Sequence, residues 1–221
     1  MVASGTDGSI AWLLVAAAAL LGLVLSPLAE TLIAKRLPRL GGLPTVPVRM
    51  STAAITAVLC VAFSLRFGLG STLPAFLFLA ILGVQLSRID VALHLLPNLL
   101  VLILLAGGSL LLLVPGFLNM QGYDLLRAAL GALVLFAGYL VLGLISPGAI
   151  GMGDVKLAAP VGLYLGYLGW SQLLYGGLLC FLLNGVVTLF YLGRKGRKQA
   201  AEVPHGPSMI AATAAMALLS A

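Results

Sequence analysis

Of the 221 residues, 62% are hydrophobic and only 8% are charged, against roughly 25% charged in an ordinary soluble domain. That balance excludes a water-soluble globular protein and predicts a polytopic membrane protein. The net charge of +6, from 12 Lys and Arg against 6 Asp and Glu, then bears on topology before nucleic acid, because basic residues collect in cytoplasmic loops.

A membrane-crossing helix needs about 20 apolar residues, and eight such stretches are predicted. The first runs from Ile10 to about Ala34. It lacks a charged segment before its apolar run and extends too far for a secretory signal, so it reads as a retained helix. It carries Pro27 and Glu30, which turns its last turns toward protein or the membrane interface, and Lys35-Arg36-Leu37-Pro38-Arg39 closes it. The second span is about Met50 to Phe67, and the third runs from about Leu73 past Asp90 to Leu96, where Pro97 breaks it. The fourth is about Asn98 to Val114, followed by a loop from Pro115 to Tyr123. The fifth is about Asp124 to Ile145, with Asp124 suited to the positive end of the helix dipole. Ser146-Pro147-Gly148 then interrupts the chain. The sixth, about Val155 to Tyr167, is short and contains Pro160, Gly162 and Gly166; the seventh is about Ser171 to Leu192; the eighth begins at Pro207.

With the N-terminus outside, ten of the twelve basic residues fall in cytoplasmic loops: Lys35, Arg36, Arg39, Arg49, Arg88, Lys156, Arg194, Lys195, Arg197 and Lys198. Arg66 and Arg127 fall on the far side, and inversion would reverse the ratio. The expected fold is therefore an all-α, polytopic transmembrane bundle of about eight spans, as one membrane-embedded domain over residues 1–221. The basic run at 194–198 is read as a stop-transfer anchor, with anionic lipid headgroups as an alternative ligand. Cys60 and Cys180 stand in apolar runs without paired spacing and read as small buried hydrophobes; two isolated cysteines build no zinc module.

Two carboxylates stand out. Asp154 lies in Gly151-Met152-Gly153-Asp154-Val155-Lys156-Leu157, and Asp90 in Ser87-Arg88-Ile89-Asp90, a few residues before Leu96-Pro97-Asn98. An ionisable residue at membrane depth is costly unless it has a partner or a task. The predicted topology puts Asp90 at the end of the third span and Asp154 at the start of the sixth, both at the cytoplasmic face. Two close carboxylates sharing one proton supply what peptide hydrolysis needs: an ionised base to activate water and an acid to stabilise the oxyanion. Gly151 and Gly153 let the backbone approach an extended substrate closely.

Plainer readings stand beside these. Asp154 could simply cap the next helix, and Asp90 could pair with Arg88 or another cation. His94, four residues after Asp90, would share its helical face and could tune the site or bind a metal, or be merely solvated. Lys156 would add positive potential beside Asp154 or snorkel to the headgroups. Neither His94 nor His205 sits in a metal-ligand pattern, so no metal or other cofactor is expected.

The Gly151–Leu157 stretch resembles the Gly-x-Gly-Asp-x-Lys-Leu motif of the type IV prepilin peptidases, bacterial membrane aspartic proteases. Asp90 followed by Leu96-Pro97-Asn98 resembles that family's other aspartate motif. Val203-Pro204-His205-Gly206-Pro207 is similar to its Pro-Phe-Gly-Pro, with His205 where Phe is usual. The resemblance covers the chain from about Ser71 onward. It implies that Asp90 and Asp154 are the catalytic pair, with Gly151, Gly153, Lys156, Pro97 and Asn98 shaping the site or binding substrate. It implies cleavage of the short basic leader from prepilins or pseudopilins at the cytoplasmic face of the bacterial inner membrane, just before a hydrophobic helix. Many members also methylate the new N-terminus through a domain with two Cys-x-x-Cys pairs between the first two helices; here the short Lys35–Arg49 loop has no cysteine, so a peptidase alone is expected. The presenilin-type proteases share the second motif but usually carry Tyr-Asp where this chain has Ile89-Asp90.

A different class of function also accommodates two membrane acids and a broken helix: a multi-pass transporter using Asp90 and Asp154 as an ion or proton relay. It does not account for the Leu-Pro-Asn that follows Asp90. A purely structural subunit accounts for neither acid. The expected partners are a prepilin or pseudopilin and the lipid bilayer, with no nucleic acid.

Overall fold

The computed structural model describes residues 4–146, 150–195 and 203–220. Among them the fold is all-α: α1 (Ser4–Arg36), a 3-10 turn (Pro38–Leu40), α2 (Val46–Phe67), α3 (Leu73–Leu93), α4 (Asn98–Leu118), α5 (Gly122–Ile145), α6 (Met152–Leu168), α7 (Trp170–Lys195) and α8 (Gly206–Leu219). Among the described residues six stretches are long and apolar enough to cross a membrane: Trp12–Arg36, Trp170–Arg194, and all of α2, α3, α4 and α5. The chain is thus a polytopic membrane protein. α6 and α8, at 17 and 14 residues, are shorter than the usual span of about 20. The predicted break at Pro147-Gly148 and the basic residues Arg197 and Lys198 lie outside the described residues.

The chain divides into two compact units, Met1–Gln85 and Leu86–Ala221. In the first, α1 packs along α2. A Cβ on Gly22 would sit 2.7 Å from the Cα of Ala57, so the glycine is what lets the two backbones approach. Glu30 is fully buried. It accepts hydrogen bonds from Thr52 Oγ1 at 2.5 Å and Arg49 Nε at 3.1 Å, so this buried charge is paired. Gln85 Nε2 donates to Ser26 Oγ at 3.1 Å, and Phe63, Phe67 and Phe76 form an aromatic cluster.

In the second unit, α4, α5, α7 and α8 pack around α6. Val155, Leu157, Ala158 and the run Pro160–Tyr167 of α6 are buried, as expected of a helix apolar on every side. Its contact with α5 is glycine-mediated: a Cβ on Gly131 would lie 2.5 Å from Gly162 O, and one on Gly166 2.7 Å from Arg127 O. Arg127 closes the C-terminal end of α6. Its Nε donates to Gly166 O at 2.6 Å, and its Nη2 to Tyr167 O at 2.5 Å and to Asp124 Oδ1 at 2.8 Å. Those carbonyls have no partner within the helix, which is why a basic side chain stabilises this end.

Among the boundaries that differ from the sequence reading, three have a clear local cause. α3 stops at Leu93, because His94 takes a positive φ of 52° and ends the right-handed run. α2 begins four residues early at Val46, with Pro47 in the first turn, where a missing N–H costs nothing. α4 carries Pro115 into its last turn and ends at Leu118, so the predicted 115–123 loop contracts; Gln121 N–H returns to Gly116 O at 2.8 Å.

Candidate active site

Asp90 sits in the last turn of α3 and is 5% exposed. Its backbone carbonyl accepts the N–H of His94 at 2.8 Å, which closes the helix. Its Oδ2 accepts the backbone N–H of Gly206, the first residue of α8, at 3.0 Å. A Cβ on Gly206 would stand 2.6 Å from that oxygen, so only glycine leaves the donor room to reach the carboxylate.

Asp154 lies in the first turn of α6 and is half-buried. The N-cap is Gly151, extended at φ −70° and ψ 144°, whose carbonyl accepts the N–H of Asp154 at 3.0 Å and that of Val155 at 3.2 Å. In return the Asp154 carboxylate accepts the N–H of Gly151, a reciprocal arrangement of the capping-box kind. The helix-capping reading of Asp154 therefore holds in part. The same carboxylate is also close enough to Asp90 for the two charges to act on each other.

The other predicted residues gather around this pair. Pro97 is the N-cap of α4 and Asn98 its first residue. Lys156 Nζ donates to Asn98 Oδ1 at 2.9 Å, which gives the lysine a protein partner besides the headgroups. A Cβ on Gly153 would lie 2.9 Å from the Cβ of Leu96, and one on Gly206 3.5 Å from its Cδ1. Leu96 is thus wedged between the starts of α6 and α8. His94 is exposed and its left-handed backbone ends α3, yet it stays close enough to Asp90 for the two side chains to act on each other electrostatically. Among the described residues no group of three or more His, Cys, Asp or Glu converges as a metal site.

Sequence reasoning missed one contributor. Tyr139 of α5 is fully buried, and its hydroxyl lies 2.8 Å from His205 Nε2 in a hydrogen bond. Phe181 of α7 stacks on Tyr139 with ring centroids 5.2 Å apart and packs against His205 at 5.2 Å. Burial pushes the His205 imidazole down to about 4, so it is neutral near pH 7. A lone tyrosine in an apolar helix carries no sequence signal; only the unusual His205 marked this corner.

A sequence profile of the type IV leader peptidase family matches residues 76–193, more than half of the chain and inclusive of both aspartates. Three curated relatives are each named prepilin leader peptidase/N-methyltransferase. That of Aeromonas hydrophila is 34% identical over 154 residues, 69% of this chain and 52% of its own length. That of Aeromonas salmonicida strain A449 is 35% identical over 161 residues, 72% of this chain and 53% of its own. That of Xanthomonas campestris pv. campestris is 33% identical over 157 residues, 69% and 52% respectively. The chain spans about half the length of these relatives. No solved structure matches it significantly. With two aspartate motifs converging at one end of a helical membrane unit and the profile running through both, this chain belongs to the type IV leader peptidase family.

Proposed function

We propose that the chain is a membrane aspartic endopeptidase that removes the basic leader from type IV prepilins or pseudopilins, with Asp90 and Asp154 as the catalytic pair. The observation that carries this reading is the convergence of the two aspartate motifs, with Leu96 packed against Gly153 and Gly206 and Lys156 donating to Asn98, within a chain of the leader peptidase family. In the reaction the ionised carboxylate takes a proton from water, whose oxygen attacks the scissile carbonyl carbon. The protonated partner donates to the carbonyl oxygen as it becomes an oxyanion. Collapse of the tetrahedral intermediate breaks the C–N bond, and the amine leaves with a proton from the pair. The protons belong to the dyad, so neither role is tied to one aspartate. Gly151, exposed at the start of α6, leaves space for an extended substrate strand beside Asp154, whereas the room at Gly153 is taken by Leu96.

The cytoplasmic face of a bacterial inner membrane is the proposed location, supported by the distribution of basic residues around the spans, with Arg88 and Lys156 near the two aspartates in sequence. A peptidase without N-methyltransferase activity is proposed because residues 37–45, between α1 and α2, contain no cysteine.

Co-expression with a prepilin, with leader removal followed by gel shift, tests the reading. Wild type is expected to cleave, and Asp90→Asn and Asp154→Asn each to be inactive while still inserted in the membrane. Cleavage that survives either substitution defeats the dyad, and an ion flux in proteoliposomes without proteolysis would point to the relay instead.

A further inference from the structure

Gly206 has no side chain, so the position of its N–H is set wholly by the backbone around it. Pro204 and Pro207 restrict that backbone on either side. In the segment Val203-Pro204-His205-Gly206-Pro207, only His205 has a polar side chain with which to anchor itself. It is held from two helices. Its Nε2 is hydrogen-bonded to the Tyr139 hydroxyl of α5 at 2.8 Å, and its ring packs against both Tyr139 and Phe181 of α7, with centroids 5.6 and 5.2 Å away. The next residue delivers its N–H to Asp90 Oδ2 at 3.0 Å. No further residue lies between the anchor and the donor.

We propose that His205, gripped by Tyr139 and Phe181, is a positioning residue that keeps the Gly206 N–H on Asp90 and so fixes the orientation of that carboxylate. The bond engages one carboxylate oxygen, and the turn that aims it is tied into α8 by the Met209 N–H, which returns to His205 O at 3.2 Å. Phenylalanine, usual at this place in the family's motif, would preserve the ring packing and lose the Tyr139 bond. The effect on turnover rests on the peptidase reading above; the tether does not.

The test measures deuterium exchange at the Gly206 amide and prepilin cleavage in the full-length, membrane-reconstituted protein, for wild type, Tyr139→Phe, His205→Phe, the double variant and His205→Gln. Both single phenylalanine variants are expected to exchange faster at Gly206. Each should lower kcat by about 3- to 10-fold, the worth of one net hydrogen bond, with KM unchanged. The double variant should be no slower than the slower single, and His205→Gln, which keeps a hydrogen-bonding atom near Nε2, should recover most of the rate. Wild-type exchange at Gly206 in Tyr139→Phe overturns the proposal whatever happens to cleavage. Faster exchange with kcat unaltered, or with only KM raised, overturns it equally. An inactive wild type, or an active Asp90→Asn enzyme, defeats the peptidase reading, and the exchange measurement then decides the tether by itself.

Discussion

Lys156 Nζ donates to Asn98 Oδ1 across 2.9 Å, joining the residue two places after Asp154 to the Leu-Pro-Asn segment that follows Asp90. The two aspartate motifs are thus linked by a side-chain hydrogen bond. Both residues are exposed, and exposed polar links contribute little, roughly 0–1 kcal/mol. Lys156→Ala and Asn98→Ala are each expected to reduce kcat/KM by less than about tenfold. The double variant should fall no further than the weaker single, as measured on purified protein with one prepilin substrate.

The glycines of the site are not equivalent. A methyl group at Gly206 would meet Asp90 Oδ2 at 2.6 Å, whereas one at Gly151 would stand 3.2 Å from Asp154 Oδ2. Gly151 is exposed and its φ of −70° suits any residue. Gly206→Ala is therefore expected to lower kcat by about 100-fold, the scale of a small misplacement of a reacting group. Gly151→Ala should remain within about tenfold of wild type, since a few tenths of an ångström of relief suffices. A reversed ranking in the cleavage assay would show that the α8 donor does not govern the site.

Arg127 satisfies two carbonyls at the end of α6 opposite Asp154 and pairs with Asp124. Arg127→Ala leaves those carbonyls without their donor. Destabilisation of about 1–3 kcal/mol is expected, seen as a lower Tm in detergent. Arg127→Lys should recover only part of it, because a single ammonium does not reproduce the guanidinium fork.

Acid should weaken the His205 corner. Burial lowers the imidazole from its ordinary 6.5 to about 4, so the folded state binds this proton less readily than the unfolded chain. Its contribution is fully present above the unfolded value and is lost as pH falls from about 6.5 toward 4. Tyr139, Cys180, Asp90 and Asp154 surround this corner, and the two aspartates titrate as well. The diagnostic quantity is thus a difference: between pH 7 and 4.5, Tm should fall less in His205→Phe than in wild type. Equal slopes would mean that His205 does not contribute.

The all-helical membrane fold was legible because a bilayer demands long apolar runs, and composition alone reveals them. Asp90 and Asp154 were legible for the same reason: a carboxylate in such a sequence is conspicuous, and the residues beside each form a motif. Helix ends were less so. The stop at Leu93 depends on His94 taking a left-handed backbone that nothing around it in the sequence demands, and Pro115 was read as a terminator although α4 carries it into its last turn, forgoing one helical hydrogen bond.

What the sequence determined by itself was the class of fold and the family resemblance, and it singled out the two acids as candidates, since these depend on local composition and short spacing. Tertiary structure alone decided that Gly206 donates to Asp90, that Lys156 meets Asn98 and that Tyr139 holds His205. Each of those contacts joins residues 58 to 116 positions apart. A hydrogen bond requires its partners within about 3 Å, and only the packing of the helices around α6 brings such distant residues that close.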